Sequence, residues 1–339
     1  MHGIKHVPQC ILDLPKLKRI ETGGCDISHL PLLIAKQHEL NKKEALRRIG
    51  HCKKSQKKNL DLSRLYLSEL PEELSSLYWL ERLNLSNNTL KQLPDWIGNF
   101  QQLTYLDLDD NELTSLPNSI GGLRSLKTIR ISFNQLQTLL ETFGNLVSLE
   151  VFNLSEITNH PVLEKKQGQS SWFTHLPDSF CNLVSLKYFI LDNTKIKKLP
   201  ENFGGLTSLK YLCIQGDSGF CSDTFFPKTM NGLKSLREID ITSFDRVPFF
   251  ISEMKQLTSL DLSHNKFYIL PEFIGNLTKL KRLNLHSTWI TEFPEWISNL
   301  KNLVDLDISN NDINVKPAMV TKLKKLKNYC DMSNPFSMK

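Results

Sequence analysis

The chain has 339 residues, 40% of them hydrophobic and 23% charged, which is the make-up of a soluble globular protein. Its 42 Lys and Arg against 36 Asp and Glu leave a formal net charge of +6. No apolar run reaches the roughly 18 residues that a membrane-spanning helix needs, so a membrane partner is not expected.

The first residues, MHGIKHVPQCILDLPKLKRIE, lack the continuous apolar stretch and small-residue cleavage site of a secretory leader. Cys10, Cys25, Cys52, Cys181, Cys213, Cys221 and Cys330 are odd in number and form no CxxC pair, so a disulfide framework is not expected. The two NLS sequons, at Asn84 and Asn153, fall inside predicted strands, where a glycan would not fit. A reducing, cytoplasmic setting follows as the expectation.

A length of this size ordinarily suggests two domains, but repeat arrays grow by adding units instead of enlarging one core. This chain is such an array. Units of the form LxxLxLxxNxLxxLPxxIGxLxx begin at 17, 57, 80, 103, 126, 149, 186, 209, 236, 257, 280, 303 and 326. LERLNLSNNTLKQLPDWIGNFQQ (80–102) and LTYLDLDDNELTSLPNSIGGLRS (103–125) are two consecutive examples.

Taken in chain order, residues 4–34 read as N-terminal repeat material. Residues 35–56 form a basic insertion or cap, in which Leu40, Ala45, Leu46 and Ile49 suit one side of an amphipathic helix. Between 36 and 58 stand nine Lys or Arg and two Asp or Glu, so this short stretch carries more positive charge than the whole chain. A basic patch for nucleic acid or an anionic surface is one reading. A solvated helix face covering the solenoid's leucines is the other, and the absence of interleaved aromatic residues favours it.

The main repeats occupy 57–325, with 326–339 as a truncated last unit. Within each unit the leucines of xxLxLxx alternate and face one side of a strand, with the polar residues between them facing the other. The asparagine that follows (Asn88, Asn111, Asn134, Asn265, Asn311) turns the chain and can bond the backbone groups that the turn leaves open. The LPxxIGxL half returns as a short irregular or helical segment, since proline cannot continue a ladder. One unit cannot bury its leucines alone; stacked units can, and their strands form a parallel sheet along one face.

On these motifs the chain resembles intracellular leucine-rich-repeat proteins of the 23-residue LPxxIG type. The resemblance implies an α/β solenoid: a horseshoe with a parallel β-sheet on the concave face, short helical or irregular convex segments, and use as a protein-binding platform. KEALRRIGHCKKSQKKNLDLSRLYLSELPEEL (43–74) also resembles the helix and first repeat that open bacterial members, including effectors of intracellular pathogens. The departure is that repeat-like residues precede this opening. As an effector the protein would reach a host cell and act by occupancy, masking a surface or bridging two proteins. Some bacterial relatives carry a ubiquitin-ligase domain beyond their repeats, but only nine residues follow Cys330.

The beat changes at 156–173, where EITNHPVLEKKQGQSSWF separates units spaced 37 residues apart, and at 215–226, where QGDSGFCSDTFF replaces the usual turn. Both departures are expected as loops at the exit rim of the strands. Along the third and fifth strand positions the ends of the array are polar and the middle is not. Tyr105, Arg130, Phe133, Val151, Tyr188, Ile190 and Tyr211 therefore form the candidate partner-binding patch, on the order of 20 Å across. Loops 156–172 and 215–226 stand at its edge.

Catalytic and metal motifs are absent from the repeats. Asp107, Asp109 and Asp110 lack the glycine of a calcium loop and read as solvated carboxylates. His264 and His286 lie near Asp261 without an evident third ligand. The expectation is a monomeric, non-catalytic protein with no cofactor and no metal, whose partner is a host or bacterial protein.

Overall fold

The computed structural model describes residues 30–155, 173–220 and 222–338. The segments 1–29 and 156–172 lie outside the described residues, and with them most of the 4–34 repeat and the first expected loop.

A helix, α1 (Leu30–Ser55), leads into a twelve-stranded parallel sheet in strict chain order. Its strands are β1 (Asn59–Asp61), β2 (Arg82–Asn84), β3 (Tyr105–Asp107), β4 (Thr128–Arg130), β5 (Val151–Ser155) and β6 (Tyr188–Thr194). They continue through β7 (Tyr211–Phe220), β8 (Glu238–Phe244), β9 (Ser259–Asp261), β10 (Arg282–Asn284), β11 (Asp305–Asp307) and β12 (Asn328–Cys330). Each strand returns through a 3-10 turn, which usually starts just after a proline, as at Pro94, Pro117 and Pro294. Leu140 stands in the proline's place in one unit and adopts the same extended backbone, φ −80° and ψ 159°. Strands spaced about 4.8 Å apart are narrower than the returning turns, so the stack curves with the sheet inside. The result is an α/β solenoid.

Its core is the sum of the unit leucines: Leu83, Leu106, Leu149, Leu209 and Leu280 are all completely buried. In the middle the core changes character. Phe143, Phe152, Phe180, Phe189 and Phe203 stack into a spine, with neighbouring ring centroids 5.0 to 6.4 Å apart. No helix among the described residues is long and apolar enough to cross a membrane.

The asparagines after the strands form a ladder between units. Asn134 donates to the carbonyls of Leu108 (2.9 Å) and Ile131 (3.0 Å) and accepts from the Leu113 amide (3.0 Å). Asn88, Asn111, Asn265 and Asn311 repeat this pattern, and Asn334 extends it into the last unit. The units beginning at 186, 209 and 236 carry Thr194, Asp217 and Phe244 at this place. There β6, β7 and β8 have 7, 10 and 7 residues, against 3 in β1–β4, but the asparagine alone does not stop a strand, since Leu65 and Thr288 stand at the same place after the 3-residue β1 and β10.

Two expectations are corrected here. Residues 215–226 are not an open loop: β7 continues to Phe220, pairing with β8 across a bulge, and a helical turn, α2, spans Ser222–Phe225. On α1, Ala45, Ile49 and Cys52 are buried, but Leu40 is 50% exposed, because nine residues of helix turn it about 180° away from Ile49, onto the opposite face. Charge on α1 is partly matched locally. Glu44 forks to Arg47 (2.7 Å) and Arg48 (2.8 Å), which hold its carboxyl down at about 2, and Lys42 and Lys58 reach Glu69 and Glu81.

The glycine of LPxxIG is explained by close approach. A Cβ on Gly204 would stand inside van der Waals range of the next unit's Thr229 carbonyl, whereas one on Gly205 would meet only the Cys181 carbonyl at 3.8 Å. Gly204→Ala is expected to destabilise the protein by about 1–3 kcal/mol, since backbone must shift to admit the methyl. Gly205→Ala should leave the denaturation midpoint nearly unchanged, and equal midpoints for the two variants would refute the explanation.

Candidate functional site

Parallel pairing sets the concave columns in register. Third positions align as Arg82, Tyr105, Thr128, Val151, Tyr188, Tyr211, Glu238, Ser259, Arg282 and Asp305. Fifth positions place Arg130, Asn153, Ile190, Cys213, Asp240 and Asp261 side by side in the same way. These side chains alternate with the buried leucines, so they point away from the core.

The seven candidate residues fall into two groups. Val151, Tyr188 and Tyr211 are direct neighbours on β5, β6 and β7, with Ile190 beside them on β6. Tyr188 is 45% exposed. Tyr211 is half-buried, and its hydroxyl is pushed well above the usual phenol range by burial first and then by the nearby Cys213 and Asp240.

Tyr105 and Arg130 belong to a polar network instead. The Tyr105 hydroxyl donates to Asp107 Oδ2 (2.9 Å), and the Arg82 guanidinium lies 4.0 Å over its ring. Arg130 pairs with Asp109 at 2.6 Å and approaches Asp107 at 3.8 Å. This overturns the expectation of solvated carboxylates: Asp107 and Asp109 are each only 8% exposed, and Asp110 alone of the three is open to solvent. Burial raises the Asp109 pKa, the Arg130 hydrogen bond opposes it, and the Ser132 amide supplies a further donor at 2.8 Å.

Phe133 sits at the exit end of β4 with φ 56° and is 59% exposed. The matching residues Asn87, Asp110, His264 and Asn310 share this left-handed backbone, and short polar side chains suit it. A bulky aromatic there carries both conformational strain and exposure.

The C-terminal half of the face holds an open hollow of about 730 Å³, bordered at its central end by Tyr211 and at its far end by Tyr329 and Cys330. Asp240, Asp261 and Asp307 line it with Glu238 and Asp305, and Arg282 and Lys327 are the cations in its lining, so acidic groups prevail. Burial first, then the charge of Asp261, raises the Asp240 pKa, and burial holds the neighbouring Cys213 thiol at about 12. A thiol so high is a poor nucleophile near neutral pH. His264 and His286 meet edge to face at 5.1 Å, and His286 Nδ1 contacts Ser309 Oγ at 2.8 Å. Among the described residues no group of three or more His, Cys, Asp or Glu could hold a metal ion.

Sequence reasoning missed one exposed aromatic pair. Tyr268 and Trp289, both with positive φ, meet edge to face at 5.8 Å, and Lys266 lies 4.9 Å over the Trp289 ring. They occupy the twelfth and tenth unit positions respectively, beyond the columns that point into the concavity, and reading the tenth and twelfth columns would have found them.

The family description "Leucine-rich repeat region" matches residues 33–170 and 167–270, and "Leucine rich repeat" matches 255–313. No curated protein sequence matches the chain. Among solved structures, it is similar to a leucine-rich-repeat protein of Leptospira interrogans, at 28% identity and TM-score 0.61, over 82% of this chain and 78% of that one. It is also similar to a chain of the Drosophila Toll–Spatzle complex, at 25% identity and TM-score 0.63, over 79% of this chain and 35% of that one. A third likeness is to the Arabidopsis receptor kinase HAESA in complex with the peptide hormone IDA and a co-receptor. There the identity is 26% and the TM-score 0.58, over 81% of this chain and 46% of that one.

Proposed function

The chain belongs to the leucine-rich repeat family, and from that premise we propose that it is a non-catalytic protein-interaction module whose partner docks on the concave sheet. The observation that carries this reading is the run Val151, Tyr188, Tyr211 with Ile190: apolar side chains set side by side on an outward-facing sheet surface. Exposed apolar patches mark interaction sites, and tyrosine is enriched among residues that dominate binding energy. Phe133, Tyr105 and Arg130 extend the surface toward the N-terminal units. Toll with Spatzle and HAESA with its peptide hormone are precedents for this fold engaging protein and peptide ligands.

The likeness to a Leptospira protein and the opening 43–74 support a bacterial, effector-like reading in which the protein acts by occupying a partner's surface. The deciding experiment captures a partner from host lysate with wild type and with Tyr188→Ala plus Tyr211→Ala. Loss of both anchors should weaken the captured complex by about 2 kcal/mol or more, roughly 30-fold in Kd. A steep fall with salt that spares the double variant would point instead to charge-driven binding through 36–58.

A further inference from the structure

The two halves of the concave sheet treat their carboxylates differently. On β3 and beside it, Asp107 and Asp109 have a cation of their own, Arg130. On β8 to β11 stand Glu238, Asp240, Asp261, Asp305 and Asp307, and among the described residues the one cation in ion-pair range of them is Arg282, 3.1 Å from Glu238. The other four are met by neutral donors. Gln215 Nε2 reaches Asp240 (3.1 Å), Asn284 Nδ2 reaches Asp261 (2.8 Å), Asn328 reaches Asp305, and the Ser309 amide reaches Asp307 (2.8 Å). Asp240 and Asp261 are direct neighbours across adjacent strands, so their charges repel at about 5 Å in a partly desolvated hollow.

Tyr211 links this hollow to the apolar run, since it borders both. The apolar and acidic surfaces are therefore one continuous sheet face. We propose that the face takes a protein segment of composite chemistry. Apolar side chains seat on Val151, Tyr188 and Ile190, and Lys or Arg side chains enter the hollow against Asp240, Asp261 and Asp307. The proposal rests on the concave-face reading above and adds to it the charge of the partner. Charge complementarity selects the occupant: cations satisfy the carboxylates that the chain leaves without one, and a polyanion such as nucleic acid is repelled. The hollow's size is within the roughly 300–1,000 Å³ of ligand pockets, room for more than one side chain.

The test uses a random linear-peptide display library panned on the full chain. Peptides that compete for the concave face should carry Lys and Arg in excess of the starting library. Their affinity should fall at least tenfold on Asp240→Asn/Asp261→Asn/Asp307→Asn, a set that keeps shape and removes charge. Replacing the selected Lys and Arg by Gln in the peptide should cause a similar loss, and this arm leaves the folding of the protein untouched. No basic enrichment, no concave-face binder at all, or equal affinity for the Gln peptides would overturn the proposal. Tyr188→Ala/Tyr211→Ala separates the two readings. Peptides that lose the tyrosine variant but keep the Asn variant leave the apolar patch standing and remove the cationic subsite. The reverse pattern retains the subsite and removes the patch.

Discussion

Phe180→Ala is expected to lower stability by about 3–5 kcal/mol, among the largest losses available to a single substitution in this chain. Phe180 is completely buried at the centre of the aromatic spine. Its ring lies 5.0 Å from Phe189, 6.0 Å from Phe152, and stacks near-parallel on Phe143 and Phe203 at 6.4 and 6.3 Å. Truncation removes the transfer free energy of the ring and leaves a cavity whose walls are other rigid rings, which collapse poorly. It also deletes several ring–ring contacts, each worth about 0.5–1.5 kcal/mol beyond burial.

The position along the array matters as much as the cost. In a solenoid each unit touches only its neighbours, so stability is a sum of unit and interface terms. A break at Phe180 divides the chain between Trp79, Trp96 and Trp172 on one side and Trp289 and Trp296 on the other. Urea denaturation followed by fluorescence of Trp→Phe variants that retain one side at a time should give coincident transitions in wild type and separated ones in Phe180→Ala. A loss under about 1 kcal/mol with coincident transitions would mean that the spine is not what joins the halves.

The period explains why so much of this architecture was legible in the sequence. Every unit contributes one strand in the same phase, so counting from its first leucine placed Tyr188 beside Tyr211 and Ile190 beside Cys213, as the register has them. What counting misses is anything decided between units. Asp107 and Asp109 are shielded because Arg130 arrives from the following unit, a lateral contact with no signature in their own. The long middle strands have no single-residue signal: Thr194, Asp217 and Phe244 replace the turn asparagine after β6, β7 and β8, but Leu65 and Thr288 replace it after the short β1 and β10. Leu40 does not share the face of Ala45 and Ile49: five and nine residues of helix place it about 140° and 180° from them, and it is exposed. The candidate patch was only half legible. Column position identified Tyr105 and Arg130 as concave, but their engagement with Asp107 and Asp109 is three-dimensional.

Asn134→Ala should cost about 3 kcal/mol, well above a surface substitution, because of the groups it leaves behind and not because of its own small side chain. The Asn134 side chain is 1% exposed, and its amide bonds to both its own unit and the one before. Truncation leaves the Leu113 N–H and the Ile131 carbonyl without their side-chain partner in a buried setting, and the Leu108 carbonyl with only Asn111. Each orphaned buried group costs about 1–3 kcal/mol. Asp at this position is the sharper probe. It keeps the Oδ acceptor for Leu113 but replaces the donor to two carbonyls with a buried charge, so Asn134→Asp should be the worse variant at neutral pH. Its deficit should shrink as pH falls and the carboxyl protonates, because the unpaired charge, whose pKa burial raises, is what penalises the fold. Chemical denaturation of both variants at pH 7 and pH 4 decides the matter. A pH-independent difference between them would mean that the amide's role is steric and that its hydrogen bonds do not hold the turn.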